Sequence, residues 1–135
     1  MLYPSLSTYT FIVSQNAVDK YHHINNAIYV KWILDASIRH PELISVLDQP
    51  ESAGWVAHRQ QIEYLCQACL GDELEVRTWV ADVSQTGALR KYEIVRTSDD
   101  KLIAKGWTEW LYVDITTGRP ALAPLGIQKI STLKE

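Results

Sequence analysis

The chain has 135 residues and a formal net charge of −3, with 47% hydrophobic and 21% charged residues. This length suits one folded domain, and this composition excludes a chain that is disordered throughout. The small excess of acids argues against nucleic acid as a partner, and no apolar run reaches the roughly 20 residues that would span a membrane.

The first predicted elements are a strand and a helix. Ser7–Ser14 is rich in Thr, Tyr and β-branched residues, which predicts a strand. After a polar stretch, a helix is predicted over Asn26–Arg39, with Asn25 or Asn26 as its N-cap and Pro41 just beyond its end. Most of this helix is apolar, and a helix that is apolar nearly all round is a buried one.

Four more strands are predicted after the helix, separated by turn signals at residues 70–72, 84–87 and 98–100. The predicted ranges are Gly54–Cys69, Glu73–Val83, Leu89–Thr97 and Lys101–Asp114, with a short helix in the tail at Leu125–Ser131. Together these elements predict a single α+β domain over residues 1–135, in which one sheet wraps around one helix. Such a sheet keeps an open edge and an open face, so we expect the chain to self-associate.

No targeting segment, metal site or cofactor is predicted. Met1–Ser14 lacks a basic region ahead of a long apolar stretch, so we expect no signal peptide and a cytoplasmic protein. Cys66 and Cys69 fall within a predicted strand, without the helix N-terminus that activates the thiols of a redox motif. A second pair of ligands for zinc is also missing, so we interpret both thiols as structural.

The residues just before the predicted helix carry the chemistry. Residues 19–29 read Asp-Lys-Tyr-His-His-Ile-Asn-Asn-Ala-Ile-Tyr, which places a carboxylate, two imidazoles and two carboxamides at a helix start. The free N–H groups of a helix start polarise carbonyls and bind anions. A carboxylate beside such donors suits acyl transfer, although the same residue types also serve as helix caps and turn formers.

The pattern D-x-x-x-H-x-N-N-x-x-Y-x-x-W, from Asp19 to Trp32, resembles the start of the central helix in hotdog-fold thioesterases. It is similar to the 4-hydroxybenzoyl-CoA thioesterase-like enzymes and to the acyl-carrier-protein (ACP) thioesterases, and residues 62–65 and 70–74 resemble the strand and turn that follow. The resemblance implies a hotdog fold, with an antiparallel sheet of about five strands around one central helix. It also implies a homodimer or dimer of dimers that hydrolyses an acyl-CoA or acyl-ACP thioester without a cofactor.

The resemblance implies roles for four residues before and at the start of the helix. Asp19 matches the family's carboxylate, which acts as nucleophile or as general base towards water. The backbone N–H of Asn26 matches the group that polarises the thioester carbonyl, and His23 matches a histidine that orients the substrate or shares the acid–base work. Asn25 either holds Asp19 or the attacking water, or is simply the N-cap.

The residues expected to bind substrate are Tyr29, His58, Arg59, Gln67, Arg90 and Lys91. Arg90 and Lys91 resemble the strand start where relatives bind the phosphates of CoA, which suits the charge of both side chains. His58 and Arg59 are expected to line a cleft from a second subunit. On a predicted strand facing the helix, relatives of the carrier-protein type have an acid where this chain has Gln67 or Ala68, which leaves Asp19 as the well-placed carboxylate.

Other departures and alternatives concern the same segment. His22 stands where many relatives have Gly, and Tyr21 where the carrier-protein type often has Asn. One alternative is a hotdog dehydratase or hydratase, but those relatives place Asp and His five residues apart with Asn-Pro between them, whereas Asp19 and His23 are four apart without Pro. Another alternative is a protein that binds an acyl group or acyl-CoA without cleaving it, since a fold does not determine one function.

Overall fold

The computed structural model describes residues 6–38 and 52–123. The elements are β1 (Ser7–Ile12), α1 (Asn26–Ile38), β2 (Ala53–Tyr64), β3 (Glu73–Val83), β4 (Gly87–Arg96) and β5 (Lys101–Asp114), with one turn of 3₁₀ helix at Gln15–Ala17. The predicted bounds of β3 and β5 and the predicted helix start are confirmed. The predicted tail helix and the residues expected to end α1 lie outside the described part of the chain. Within that part, no helix is long and apolar enough to cross a membrane.

The five strands form one antiparallel sheet in the order β1-β3-β4-β5-β2. β3, β4 and β5 pair with their neighbours in sequence, because short turns join them. β2 instead pairs with β5 at the far edge, so the connection from β2 to β3 crosses the sheet. On its way this connection packs against the helix, where the fully buried Ala68 donates its N–H to the hydroxyl of Tyr29 at 3.4 Å.

The prediction that β2 extends to Cys69 is wrong. The strand ends at Tyr64, and the N–H groups of Leu65 and Cys66 both donate to the carbonyl of Ile103, at 2.9 and 3.1 Å. Two donors on one acceptor end the regular ladder, and the chain then turns towards the helix. Gln67 therefore lies in the connection rather than on a strand facing the helix.

α1 packs on one face of the sheet, mainly over β3 and β1. Tyr29, Trp32 and Ile33 are buried there, and the rings of Tyr29 and Trp32 meet edge to face with centroids 5.1 Å apart. Burying each such side chain contributes about 1.5–3 kcal/mol, so this face holds the helix in place. Val30 and Leu34 are only half-buried. The predicted burial on all sides is therefore wrong for the single chain, because the sheet covers one side of the helix.

The half of this inner face formed by β5 and β2 lies to one side of the helix. Directly opposed residues share a face, so Tyr64 lies beside Ala104, while two rows further along β5 Gln60 lies beside Thr108. Between these rows lies Gly106, where an added Cβ would collide with the carbonyl oxygen of Gln61. Only glycine permits β2 to approach β5 this closely.

Candidate active site

The segment before the helix is a small closed loop. Val18 and Ile24 form an isolated antiparallel bridge, the N–H of Asp19 donates to the carbonyl of His23, and the N–H of His22 donates to the carbonyl of Asp19, both at 3.0 Å. His22 has a φ of 63°, in the left-handed region that glycine adopts most easily. This conformation gives a physical reason for the glycine that many thioesterases have at the matching position. His22 is exposed, as expected for a loop residue.

The carboxylate of Asp19 is exposed and held by backbone donors. Its Oδ1 atom accepts the N–H of Tyr21 at 2.8 Å and that of His23 at 3.0 Å. These bonds, first from His23 and then from Tyr21, lower the pKa of Asp19 below its ordinary value of 3.8. The group is therefore ionised at neutral pH. Within the described residues, Oδ2 accepts no hydrogen bond, so one oxygen of the carboxylate is available for chemistry.

The helix begins with a side-chain cap. Oδ1 of Asn25 accepts the N–H of Ala27, and the carbonyl of Asn25 accepts the N–H of Ile28, both at 2.9 Å. Asn25 is thus the N-cap, which was one of its two expected roles. Among the described residues, the N–H of Asn26 donates to no acceptor. The first helical N–H therefore carries the partial positive charge of the helix start without an internal partner.

Tyr64 reaches this helix start from β2. Its hydroxyl lies 3.5 Å from the carbonyl oxygen of Asn26, and its ring meets that of Tyr29 edge to face at 5.3 Å. Sequence reasoning included Tyr64 only as part of a strand, because nothing local indicates that the end of β2 meets the helix. Tyr29 itself is 2% exposed and belongs to the core, where burial raises the pKa of its hydroxyl.

His58 and Arg59 lie elsewhere on the same edge strand. The register between β2 and β5 shifts between Ala57 and Arg59, so His58 is the extra residue of a β-bulge. Arg59 forms an exposed ion pair with Glu109 on β5 at 3.0 Å. At about 3.3 Å per residue, His58 is roughly 20 Å along the strand from Tyr64. Within one chain these two residues are not brought to the Asp19 loop.

Arg90 and Lys91 lie on opposite faces of β4. Successive residues of a strand point to opposite faces, and here Arg90 is only 2% exposed while Lys91 is exposed. Nη1 of Arg90 donates to Oγ1 of Thr78 on β3 at 3.1 Å. Arg90 points into the protein, so of the two residues expected at the phosphates of CoA only Lys91 is exposed in the single chain.

The position of Gln67 also differs from expectation. Its carbonyl lies 3.5 Å from Nη1 of Arg96, which is also ion-paired with Asp72 at 3.2 Å. The residue is exposed in the connection that follows β2. Among the described residues, no three His, Cys, Asp or Glu side chains cluster as a metal site would require.

The sequence and the structure of the chain are similar to those of known thioesterases. The family model of the thioesterase-like superfamily matches residues 13–130. A 1,4-dihydroxy-2-naphthoyl-CoA thioesterase from Synechocystis is similar in structure, with a TM-score of 0.80, 19% identity and coverage of 94% of this chain and 96% of that one. A Staphylococcus aureus protein solved in complex with CoA has a TM-score of 0.84 and 18% identity, over 96% of this chain and 84% of that one.

The 12:0-ACP thioesterase from Umbellularia californica has a TM-score of 0.80 and 14% identity, over 95% of this chain and 50% of that one. No curated protein sequence matches the chain. The similar structures confirm the predicted fold class, one helix against a five-stranded antiparallel sheet in the hotdog arrangement.

Proposed function

Since the chain belongs to the thioesterase-like superfamily, and is on that ground a thioester hydrolase, we propose that it cleaves acyl thioesters of CoA or ACP at the Asp19 loop. One observation carries this proposal. An ionised carboxylate with an available oxygen sits on a closed loop that leads directly into a helix whose first N–H, that of Asn26, has no acceptor among the described residues.

The two groups supply complementary parts of the reaction. The N–H of Asn26 polarises the thioester carbonyl and stabilises the oxyanion that forms when the carbonyl carbon is attacked. Asp19 either attacks that carbon through Oδ2 or takes a proton from the water that attacks it. Collapse of the tetrahedral intermediate breaks the C–S bond and releases the thiolate. The direct route leaves a mixed anhydride on Asp19, which water then hydrolyses.

His23 belongs to the proposed site through its place in the loop. Its backbone N–H and carbonyl both bond to Asp19, and its side chain is exposed. We assign the imidazole to orienting the substrate or sharing proton transfer. Asn25 acts through the helix start, because its side-chain oxygen caps the helix and thereby helps position the N–H of Asn26.

Both carriers are included in the proposal. Similar structures comprise a thioesterase of a CoA ester, a complex with CoA and a thioesterase of an ACP ester. Of the two basic residues expected at the CoA phosphates, Lys91 is exposed and remains the candidate. A cytoplasmic location is part of the same proposal, because acyl-CoA and acyl-ACP are intracellular substrates.

We also propose that the active form is a homodimer or a dimer of dimers. β2 is an edge strand of 12 residues, and residues 56–61 are all exposed. Such an edge pairs readily with a second copy. Antiparallel pairing of two β2 strands would bring His58 and Arg59 of one subunit towards the Tyr64 end of the other strand.

The proposal is tested by Asp19→Asn, which keeps an oxygen for the two backbone donors but removes the charge. With acyl-CoA and acyl-ACP panels and a thiol reagent, we expect kcat to fall about 10²- to 10⁴-fold with the loop intact. Asp99→Asn is the matched control, because Asp99 is also a turn carboxylate with a lowered pKa, caused mainly by Arg96. It should retain the wild-type rate.

Three results would count against the proposal. An undiminished rate in Asp19→Asn would remove Asp19 from the mechanism. Equal losses in both variants would indicate a general effect on folding, which circular dichroism would reveal. Tight binding of acyl-CoA by the wild type without any thiol release would instead indicate a non-catalytic binding protein.

A further inference from the structure

Four polar side chains are buried together in the middle of the sheet's inner face. Thr78, Arg90, Tyr92 and Thr108 are exposed by only 0%, 2%, 1% and 1%. The strand register joins them, since Arg90 lies opposite Thr108 and Tyr92 lies opposite Thr78. Arg90 also donates to Oγ1 of Thr78 at 3.1 Å, which couples the two rows. These side chains form a single polar cluster.

This polar cluster lies where two apolar clusters meet, and Tyr92 itself also belongs to the first of them. Tyr29, Val76 and Ile94 belong to the apolar cluster under the helix, while Val80 and Tyr112 belong to a second cluster towards the other end of the sheet. Burying hydroxyl and guanidinium groups between two apolar clusters is unfavourable unless their hydrogen-bonding capacity is used. Core packing alone therefore does not explain why these polar side chains are buried here.

The hydroxyl of Tyr92 points most directly to a binding role for this cluster. It is buried, and among residues 6–38 and 52–123 it has no hydrogen-bond partner. Buried hydroxyl groups in folded proteins are nearly always paired, and an unpaired one calls for a specific explanation. On the sheet, Tyr92 lies opposite Gly106.

The polar cluster continues to the open edge of the inner face. Oγ1 of Thr108 donates to Oε1 of Gln60 on β2 at 3.4 Å, and Gln60 is exposed. On the same two strands, Ala104 lies beside Tyr64, whose hydroxyl is near the helix start. The two residues from Ala104 to Gly106, which lies opposite Tyr92, span about 7 Å along the strand. An extended acyl group of that reach would run from the helix start to the polar cluster.

We propose that this polar cluster is the far end of the acyl-binding groove and selects acyl groups that end in an oxygen, either a carboxylate or a hydroxyl. The inference rests on the proposed thioesterase function, in which the carbonyl end of the acyl group lies at Asn26. The Tyr92 hydroxyl donates to the terminal oxygen, while Arg90 and Thr108 make the surroundings polar. An acyl group with a methyl end would leave the Tyr92 hydroxyl unpaired.

The test measures binding, so that it does not depend on turnover. In the Asp19→Asn background, hexanoyl-CoA, adipoyl-CoA and 6-hydroxyhexanoyl-CoA are titrated by calorimetry, since they share chain length and differ at the far end. We expect the esters with a terminal oxygen to bind more tightly than hexanoyl-CoA. Adding Tyr92→Phe should weaken their binding about tenfold and leave hexanoyl-CoA unchanged. If only adipoyl-CoA binds more tightly than hexanoyl-CoA, the subsite recognises a terminal carboxylate. If 6-hydroxyhexanoyl-CoA also binds more tightly, a neutral terminal oxygen is sufficient.

The control variant is Tyr112→Phe, a buried tyrosine of the second apolar cluster, which should leave the preference intact. The melting temperature of Tyr92→Phe should stay the same or rise, because the variant removes an unpaired hydroxyl. The inference would be overturned if hexanoyl-CoA bound as tightly as the other two esters. It would also be overturned if Tyr92→Phe weakened the binding of all three esters equally, or if none of the three esters bound. If the wild type binds with this preference but releases no thiol, the proposed function fails and the subsite stands.

Discussion

Asp19 shows how one set of hydrogen bonds serves two purposes. The N–H groups of Tyr21 and His23 that close the loop on Oδ1 also stabilise the negative charge of the carboxylate. A turn-forming aspartate and a reactive one are thus the same residue here. These hydrogen bonds occupy Oδ1 and leave Oδ2 available. A carboxylate needs such an available oxygen to attack a carbonyl carbon or to take a proton from water.

The pH dependence of kcat/KM should report on this carboxylate. Activity that needs ionised Asp19 is present above its pKa and lost as the pH falls through it. Because the pKa lies below 3.8, we expect the acid limb of kcat/KM below pH 3.8. Stability has the same sign, since a lowered pKa in the folded state contributes stability that is lost on acidification. Stopped-flow assays with short exposure to acid separate the two effects.

A longer side chain provides the comparison for this prediction. In Asp19→Glu the carboxylate is displaced from the N–H groups of Tyr21 and His23, so any residual activity should lose its acid limb nearer the ordinary value of about 4.3 for glutamate. An acid limb above pH 5 in the wild type would contradict the prediction. It would indicate that another group, with His23 the first candidate, controls the rate.

At the scale of elements, Asn25 is the N-cap of α1, and substitutions there test whether its role is purely structural. Asn25→Ala removes the oxygen that accepts the N–H of Ala27, so we expect the free energy of unfolding to fall by about 1 kcal/mol. Urea denaturation measures this loss. Asn25→Ser keeps a capping oxygen but lacks the amide, and it should retain most of the stability.

The same pair of variants separates the two roles expected of Asn25. If Asn25 acts only as a cap, Asn25→Ser keeps wild-type kcat while Asn25→Ala loses stability. A loss of kcat in Asn25→Ser at unchanged stability would instead show that the side-chain amide contacts Asp19 or the attacking water. Equal stability of Asn25→Ala and the wild type would contradict the capping role.

At the scale of the whole molecule, the two sheet edges differ. β2 exposes residues 56–61 along a 12-residue edge, whereas β1, the other edge, has six residues. We expect the chain to sediment as a dimer or a larger even-numbered assembly joined at β2. Val56→Lys would replace an apolar side chain of this edge by a charge, and at micromolar concentration the variant should dissociate towards monomers.

Ile12→Lys is the matched control for the dimer prediction. Ile12 is an exposed apolar residue at 63%, on the opposite edge strand, whereas Val56 is 44% exposed. Sedimentation velocity should find this variant assembled at β2 like the wild type. Monomers from Ile12→Lys but not from Val56→Lys would place the interface at β1 and contradict the prediction.

The sequence by itself determined the features that depend on short-range interactions. Strand periodicity and turn residues predicted β3 and β5 to the residue, and the Asn-Asn pair predicted the start of α1. Propensity, capping and turn formation act over a few residues, so a local pattern is sufficient for them. The family pattern likewise singled out Asp19, His23, Asn25 and Asn26, which the structure brings together in one loop and helix start.

Only the tertiary structure decided what depends on pairing between distant strands. β2 lies beside β5 rather than β3, Arg90 points inward, and Tyr64 reaches the helix start. Alternation along a strand defines two faces but does not say which is inside, and no local pattern encodes which strand lies next to which. The unpaired hydroxyl of Tyr92 depends on this long-range arrangement, because the strand pairing places Tyr92 between Thr78 on β3 and Gly106 on β5.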